Sequence, residues 1–139
     1  MVRGNARQYQ QVSKQSSLAS ADPHRVILAL MQGALESMNV AKGAMQRQDF
    51  EVKAKAINKT IRIVGGLQDG LDIQANPEIG ENFYNLYDYI IRRLGEASVS
   101  MDESIIDELQ SLLAPIAEAW AQIPDEAKQQ AAVQRQGQP

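Results

Sequence analysis

An all-α fold, an antiparallel up-and-down four-helix bundle, is predicted by three features of this 139-residue sequence. Ala, Leu, Ile, Gln and Glu recur at steps of three and four, the period of a helix with one buried face. The alternation of Val, Ile, Thr and aromatic residues that marks strands is missing, and aromatic residues amount to only 5%. Asp-Pro and Asn-Pro pairs stand ahead of two of the apolar runs. In such a pair the side-chain oxygen accepts orphan N–H groups of the first turn, while Pro gives up a donor that had no partner.

The elements follow in order. Residues 1–20, MVRGNARQYQQVSKQSSLAS, are polar and rich in Gln and Ser, broken only by Tyr9, Val12 and Leu18, and read as a flexible N-terminal arm. A single helical domain is expected over 21–133. Its first helix opens at Asp22-Pro23, carries Ile27, Leu30, Met31, Ala34, Met38, Ala41 and Met45 on one stripe, and ends near Gln46–Gln48. The second begins at Asp49 and continues through Phe50, Ala54, Ile57, Ile61, Val64 and Leu67 to about Leu71. Gly65-Gly66 near its end costs about 1 kcal/mol per Gly relative to Ala. Either the helix weakens there or something packs too close for a Cβ.

Asp72 to Asn76 reads as a loop, and Asn76-Pro77 repeats the cap. The third helix carries Ile79, Phe83, Leu86, Tyr87, Ile90, Ile91, Leu94 and Ala97. A fourth opens with Ser100-Met101-Asp102-Glu103, in which Ser and Glu satisfy each other's backbone donors. Its apolar face runs from Ile105 to Trp120, and Pro115 is expected to break or kink it. Asp125 to Val133 is expected to add a short fifth helix, and 134–139 a disordered tail.

Composition narrows the function. Hydrophobic residues at 44% and charged residues at 22% are ordinary globular usage. The absence of cysteine excludes disulfides, thiolate metal sites and a cysteine nucleophile. A net charge of −3 gives no electrostatic support for nucleic-acid binding. No apolar run approaches the ~20 residues that span a bilayer, and no secretory signal is visible. No membrane insertion is expected, and the expected location is cytoplasmic.

Chemistry-bearing patterns are missing too. A di-metal bundle site wants Glu-x-x-His pairs, yet the one histidine, His24, has no Glu three residues before it. His24 reads as a local capping or surface group. No glycine-rich phosphate loop follows a strand. No catalytic residues, metal or cofactor are expected, although a metal-dependent helical enzyme is the reading that metal analysis would revive. Lys55, Lys59 and Arg62 form a basic ridge at i, i+4 and i+7, either a plain solvated face or a docking strip for an acidic partner.

The second and third helices are apolar over too wide an arc for one core face: Ile57, Ile61 and Val64 against Ile63, Leu67 and Leu71, then Leu86, Tyr87, Ile90, Ile91 and Leu94. Loops or the arm could cover the excess, or it could form a groove for amphipathic helices of a partner. Periodicity leaves both open, along with a general helical adaptor or dimerisation module.

Several runs carry a family likeness from about Tyr9 to Trp120. They are Tyr9-Gln10-Gln11-Val12, Asp22-Pro23-His24-Arg25-Val26-Ile27 and Met31-Gln32-Gly33-Ala34-Leu35. Ile57-Asn58-Lys59 through Leu71-Asp72, Leu86-Tyr87-Asp88-Tyr89-Ile90-Ile91-Arg92-Arg93-Leu94 and Ala119-Trp120 complete the set. In order and spacing the chain resembles the FliS family of flagellar secretion chaperones.

The resemblance implies a non-catalytic helical bundle that binds the C-terminal segment of flagellin. That segment is disordered before assembly and becomes helical as it wraps the chaperone, which hides its polymerisation surface. The resemblance also implies delivery to the export gate FlhA, and an arm that folds back and places Tyr9 and Val12 in the groove. Candidate flagellin-binding residues are then Tyr9 and Val12; Asn58, Ile61, Leu67 and Leu71 on the second helix; and Tyr84, Tyr87, Ile90 and Ile91 on the third.

Overall fold

A computed structural model describes residues 22–123. The expected arm, the short fifth helix and the tail lie outside the described residues. Four helices follow one another: α1 (Pro23–Gln46), α2 (Phe50–Asp69), α3 (Pro77–Ser100) and α4 (Glu103–Ala121). No strand occurs among the described residues.

Each start is set by a side-chain cap. The carboxylates of Asp22 and Asp49 accept from the amides of His24 and Val52, and the Asn76 side chain accepts from the amide of Ile79. Pro occupies the first turn of both α1 and α3, as the Asp-Pro and Asn-Pro pairs predict. The fourth start differs from the sequence reading. Ser100 is the last residue of α3, its hydroxyl donating to the Glu96 carbonyl, and Met101 turns the chain with a left-handed φ of 55°. Asp102 is therefore the cap of α4, accepting from both the amide and the hydroxyl of Ser104. The Ser-to-Glu box cannot form because the preceding helix has claimed its serine.

Pro115 does not break α4, which continues as helix to Ala121. Pro115 is exposed, so its ring stays out of the packed interior. The long α2–α3 connection needs a different device. Asp72 Oδ1 accepts from the amides of Gln74 and Ala75, folding the loop back on itself. A Cβ at Gly80 would lie 2.8 Å from the Ile73 Cα, so only glycine lets the loop backbone press against the start of α3.

Hydrogen bonds fix the topology. Ser37 on α1 meets Thr60 on α2 at 2.6 Å. Lys53 donates to the Ser98 carbonyl and Gln68 to the Tyr84 carbonyl, running α3 antiparallel to α2. Lys42 reaches Asp107, Gln46 reaches Glu103 and Gln110 reaches Asn39, running α4 antiparallel to α1. Each helix thus packs on two antiparallel neighbours, with α1 against α2 and α4, and α3 against the same two. The predicted bundle is what the chain forms.

The core takes Ile27, Met31, Ala34, Met38 and Ala41 from α1 and Ile57, Val64 and Leu67 from α2. Tyr87, Ile90 and Leu94 from α3 meet Ile106, Leu109 and Leu113 from α4. The Ser37–Thr60 pair is buried among them; its hydroxyls also lie near the carbonyls of Ala34 and Ala56, at 3.0 and 2.8 Å. Two hydroxyl protons serve three contacts, so two of the three are hydrogen bonds at any moment, enough to satisfy the pair.

His24 is a core residue rather than a surface cap, with 1% of its surface exposed. Its ring stacks on Trp120 with centroids 4.8 Å apart. Its Nε2 lies 2.6 Å from the Trp120 carbonyl, which can only accept, so Nε2 carries the proton. In return, Trp120 Nε1 donates to the His24 carbonyl at 3.0 Å. This reciprocal clasp joins the first turn of α1 to the last turn of α4. On the α3–α4 seam the Tyr89 hydroxyl donates to Glu108 at 2.7 Å, and Arg93 bridges Glu96 and Glu108. The Tyr89 hydrogen bond, with Arg93 adding to it against partial desolvation, holds the Glu108 carboxyl below its usual range.

Two measurements test this account. His24→Ala removes a stacked ring and a buried hydrogen bond and should cost about 2–4 kcal/mol in urea unfolding. Trp120→Phe removes the indole donor and part of the buried ring area but keeps an aromatic ring against His24, and should cost less, about 1–2 kcal/mol. Equal losses would mean the two halves of the clasp do not act as described. Because Glu108 is depressed in the folded state, its contribution is complete above the ordinary carboxylate range and fades as pH falls through the lowered value. Melting temperatures taken from neutral pH to about pH 3 should fall less steeply for Glu108→Gln than for the parent chain. Some slope should persist from Asp102, whose carboxyl the Ser104 hydroxyl and amide also lower.

Candidate functional site

The outer face formed by α2 and α3 brings together most of the sequence-predicted binding residues that lie within the described chain. The Lys53–Ser98 and Gln68–Tyr84 hydrogen bonds set a register in which Ile61 and Ile91 stand level. Both are half-buried, packed on the core yet reaching the surface. Asn58 lies on the α2 side of this ridge, one turn before Ile61, and is exposed. Tyr84 lies two turns before Ile91 on α3 and is 43% exposed. Leu71, just past the α2 cap, is half-buried against the core.

Glycines thin the same face. A Cβ at Gly65 or Gly95 would meet nothing within 4 Å, and neither would one at Gly66, which follows Arg62 by one turn. Within the described residues nothing packs too close for a Cβ at Gly65 or Gly66, and α2 continues through both to Asp69. Gly65 lies one turn beyond Ile61, and Gly95 one turn beyond Ile91. The result is a shallow apolar strip, with an aliphatic ridge at its middle and open steps beside it.

Three predicted contact residues are not on this strip. Leu67 is 2% exposed, and Tyr87 and Ile90 are fully buried. They form part of the interior that joins α2 and α3 to the rest of the bundle, so a partner docking on this conformation does not reach them. The wide apolar arc of each helix thus divides: one edge faces the core and the other the strip. Periodicity cannot make that division, because a helix with two packed neighbours buries more than one stripe. Tyr9 and Val12 lie outside the described residues.

A second concavity was not foreseen. On the opposite flank of α2, between it and α1, a groove of about 410 Å³ is lined by Gly33, Glu36, Ser37 and Val40 of α1 and by Val52, Lys55, Ala56 and Lys59 of α2. Val40, 49% exposed, was the available signal, since it lies off the α1 core stripe. More exposed apolar side chains also mark one end of the bundle, where Phe50 is 59% and Val99 90% exposed.

Among the described residues no group of three or more His, Asp or Glu side chains could hold a metal ion. No helix there is long and apolar enough to cross a membrane. Both flanks of α2 expose apolar side chains at the surface of the bundle.

The chain is similar to proteins of one family. Residues 5–127 match the family described as flagellar protein FliS. The chain is 44% identical over 114 residues to the flagellar secretion chaperone FliSB of Pseudomonas aeruginosa, covering 82% of this chain and 90% of that protein. It is 42% identical over 120 residues to the flagellar secretion chaperone FliS of Salmonella typhimurium, covering 86% and 89%. A FliS of Bacillus subtilis is 28% identical over 109 residues, covering 78% and 80%. With the helical order, the capped starts and this extent of identity together, the chain belongs to the FliS family.

Proposed function

We propose that this protein is a flagellar secretion chaperone that binds the disordered C-terminal segment of flagellin, prevents its premature polymerisation and delivers it to the export gate FlhA from the cytoplasm. Family membership supports the chaperone role. The observation that carries the cargo reading is the α2–α3 strip, where Ile61 and Ile91 form a half-buried aliphatic ridge flanked by exposed Asn58 and Tyr84. A disordered segment that becomes helical can lay one apolar face on such a strip. The open positions at Gly65 and Gly95 leave room for its backbone to come close.

The energetics suit a carrier. A segment that orders on binding loses conformational entropy, so affinity per unit of buried area stays low even when much surface is covered. The complex is held over a large area and is still releasable. Cargo-facing groups on this reading are Asn58, Ile61, Leu71, Tyr84 and Ile91, with Tyr9 and Val12 of the N-terminal arm joining them. Leu67, Tyr87 and Ile90 support the strip from beneath.

Calorimetric titration of the full chain with the last ~50 residues of a flagellin should give a one-to-one complex, a strongly negative heat-capacity change and a gain in helical circular dichroism. Absence of both heat and helix gain would overturn the cargo reading. Tyr84→Ala should weaken that complex by more than about 1 kcal/mol while leaving the melting temperature nearly unchanged. Gly65→Ala with Gly66→Ala should stabilise the free chain by about 1–2 kcal/mol, because no clash opposes the gain in helix propensity. If the cargo backbone uses the space over Gly65, the same variant should bind the flagellin segment less tightly; unchanged binding would exclude that close approach.

A further inference from the structure

The basic ridge on α2 is not used by the α2–α3 strip. Lys55 and Lys59 line the other flank, the rim of the α1–α2 groove, and Arg62 continues the row at the i+7 position. All three are exposed. Seven residues along a helix span about 10 Å, so the row runs for roughly two turns. Lys55 pairs only with Glu51, at 3.3 Å in an exposed i,i+4 contact that contributes little, and among the described residues Lys59 and Arg62 have no ion pair. In a chain of net charge −3, a cationic row of this length is a local feature of one helix edge.

The floor of the groove is apolar and shallow: Val40, Val52, Ala56 and the missing side chain of Gly33. Its one buried hydroxyl, that of Ser37, already meets Thr60 and the Ala34 carbonyl. No polar group is left in the floor to grip a small molecule. On the far rim stands a single carboxylate, Glu36, exposed and without an ion pair among the described residues. An occupant therefore needs aliphatic side chains below, carboxylates on the flank that meets α2, and a neutral or basic flank toward α1.

We propose that the α1–α2 groove is a second docking surface, and that its occupant is an acidic amphipathic helix of a protein other than the cargo. Its carboxylates align with Lys55, Lys59 and Arg62 while its aliphatic side chains cover Val40, Val52 and Ala56. Glu36 sets the direction of the helix by repelling an acidic flank on the α1 side. Because the groove and the α2–α3 strip lie on opposite flanks of α2, both can be occupied at once. This inference stands whether or not the strip takes flagellin.

The test uses the full chain and two synthetic helical peptides of about four turns, identical in their Leu positions. One carries Glu along a flank and the other carries Lys there. The Glu peptide should shift the backbone amide resonances of Val40, Val52 and Ala56, and its affinity should fall as salt is raised. Lys55→Glu, Lys59→Glu and Arg62→Glu together should weaken the Glu peptide about tenfold or more and favour the Lys peptide instead. Val40→Asp, at an exposed position, should abolish binding of the Glu peptide with the fold retained by circular dichroism. The proposal is overturned if neither peptide binds, if both bind the parent chain equally, or if the shifts map to the α2–α3 strip. It is also overturned if the charge reversal weakens the flagellin segment itself, since the groove would then belong to the path of the cargo. Unchanged flagellin binding in that variant, with the peptide preference reversed, supports two separate surfaces.

Discussion

The bundle depends on the closure between its first and last turns. His24 and Trp120 are 96 positions apart in the chain, and each donates a ring N–H to the other's carbonyl while the rings stack. Helix ends leave carbonyls without intrahelical partners, and here one of them is satisfied by a side chain from the opposite end of the chain. The contact closes a loop of 96 positions, and that entropy is offset by the pair together with the apolar packing of α1 on α4. Once it forms, α1 lies fixed against α4 along its length, with Asn39, Lys42 and Gln46 meeting Gln110, Asp107 and Glu103 in turn. Residues 22 and 123, the bounds of the described chain, therefore lie at the same end of the bundle.

Helix α2 is bound to this frame differently. It buries only Ala56, Ile57, Thr60, Val64 and Leu67, where α1 buries nine residues. Its polar tie to α1 is a single internal one, the Ser37–Thr60 pair, and its ties to α3 sit at its two ends. Between those ties both flanks of α2 reach solvent. One flank, shared with α3, is aliphatic and glycine-stepped; the other, shared with α1, is apolar in its floor and cationic at its rim. The same helix can therefore present two chemically different surfaces without altering the core, because the core uses only the stripe between them.

That division suits the role proposed for this chain, a carrier of unfolded cargo. A strip built from half-buried Ile61 and Ile91 is already supported from below by Leu67, Tyr87 and Ile90, so its shape does not have to form on binding. Ordering entropy then falls almost entirely on the partner. The seam between α3 and α4 is held by a different kind of contact, the Tyr89–Glu108–Arg93 cluster, which keeps the back of α3 anchored by charge-assisted hydrogen bonds. Rigidity on that side and exposure on the other belong to one design of the helix.

The sequence by itself determined the order of the four described helices and the starts of the first three, because caps and periodicity are local: Asp22-Pro23, Asp49 and Asn76-Pro77 act through hydrogen bonds within one turn. It also carried the family likeness, which rests on the order of short runs along the chain. Only the tertiary structure decided which edge of each apolar arc faces inward. Ile90 and Ile91 are neighbours of equal hydropathy, and the rotation of α3 against α2 and α4 buries one and leaves the other at the surface. The same holds for His24, whose partner lies at the far end of the domain, and for Ser100, whose capping role is lost to the helix before it. The α1–α2 groove was not legible even though Val40 lies off the α1 core stripe, because a concavity is a property of two helices, and no period in either one records the distance between them.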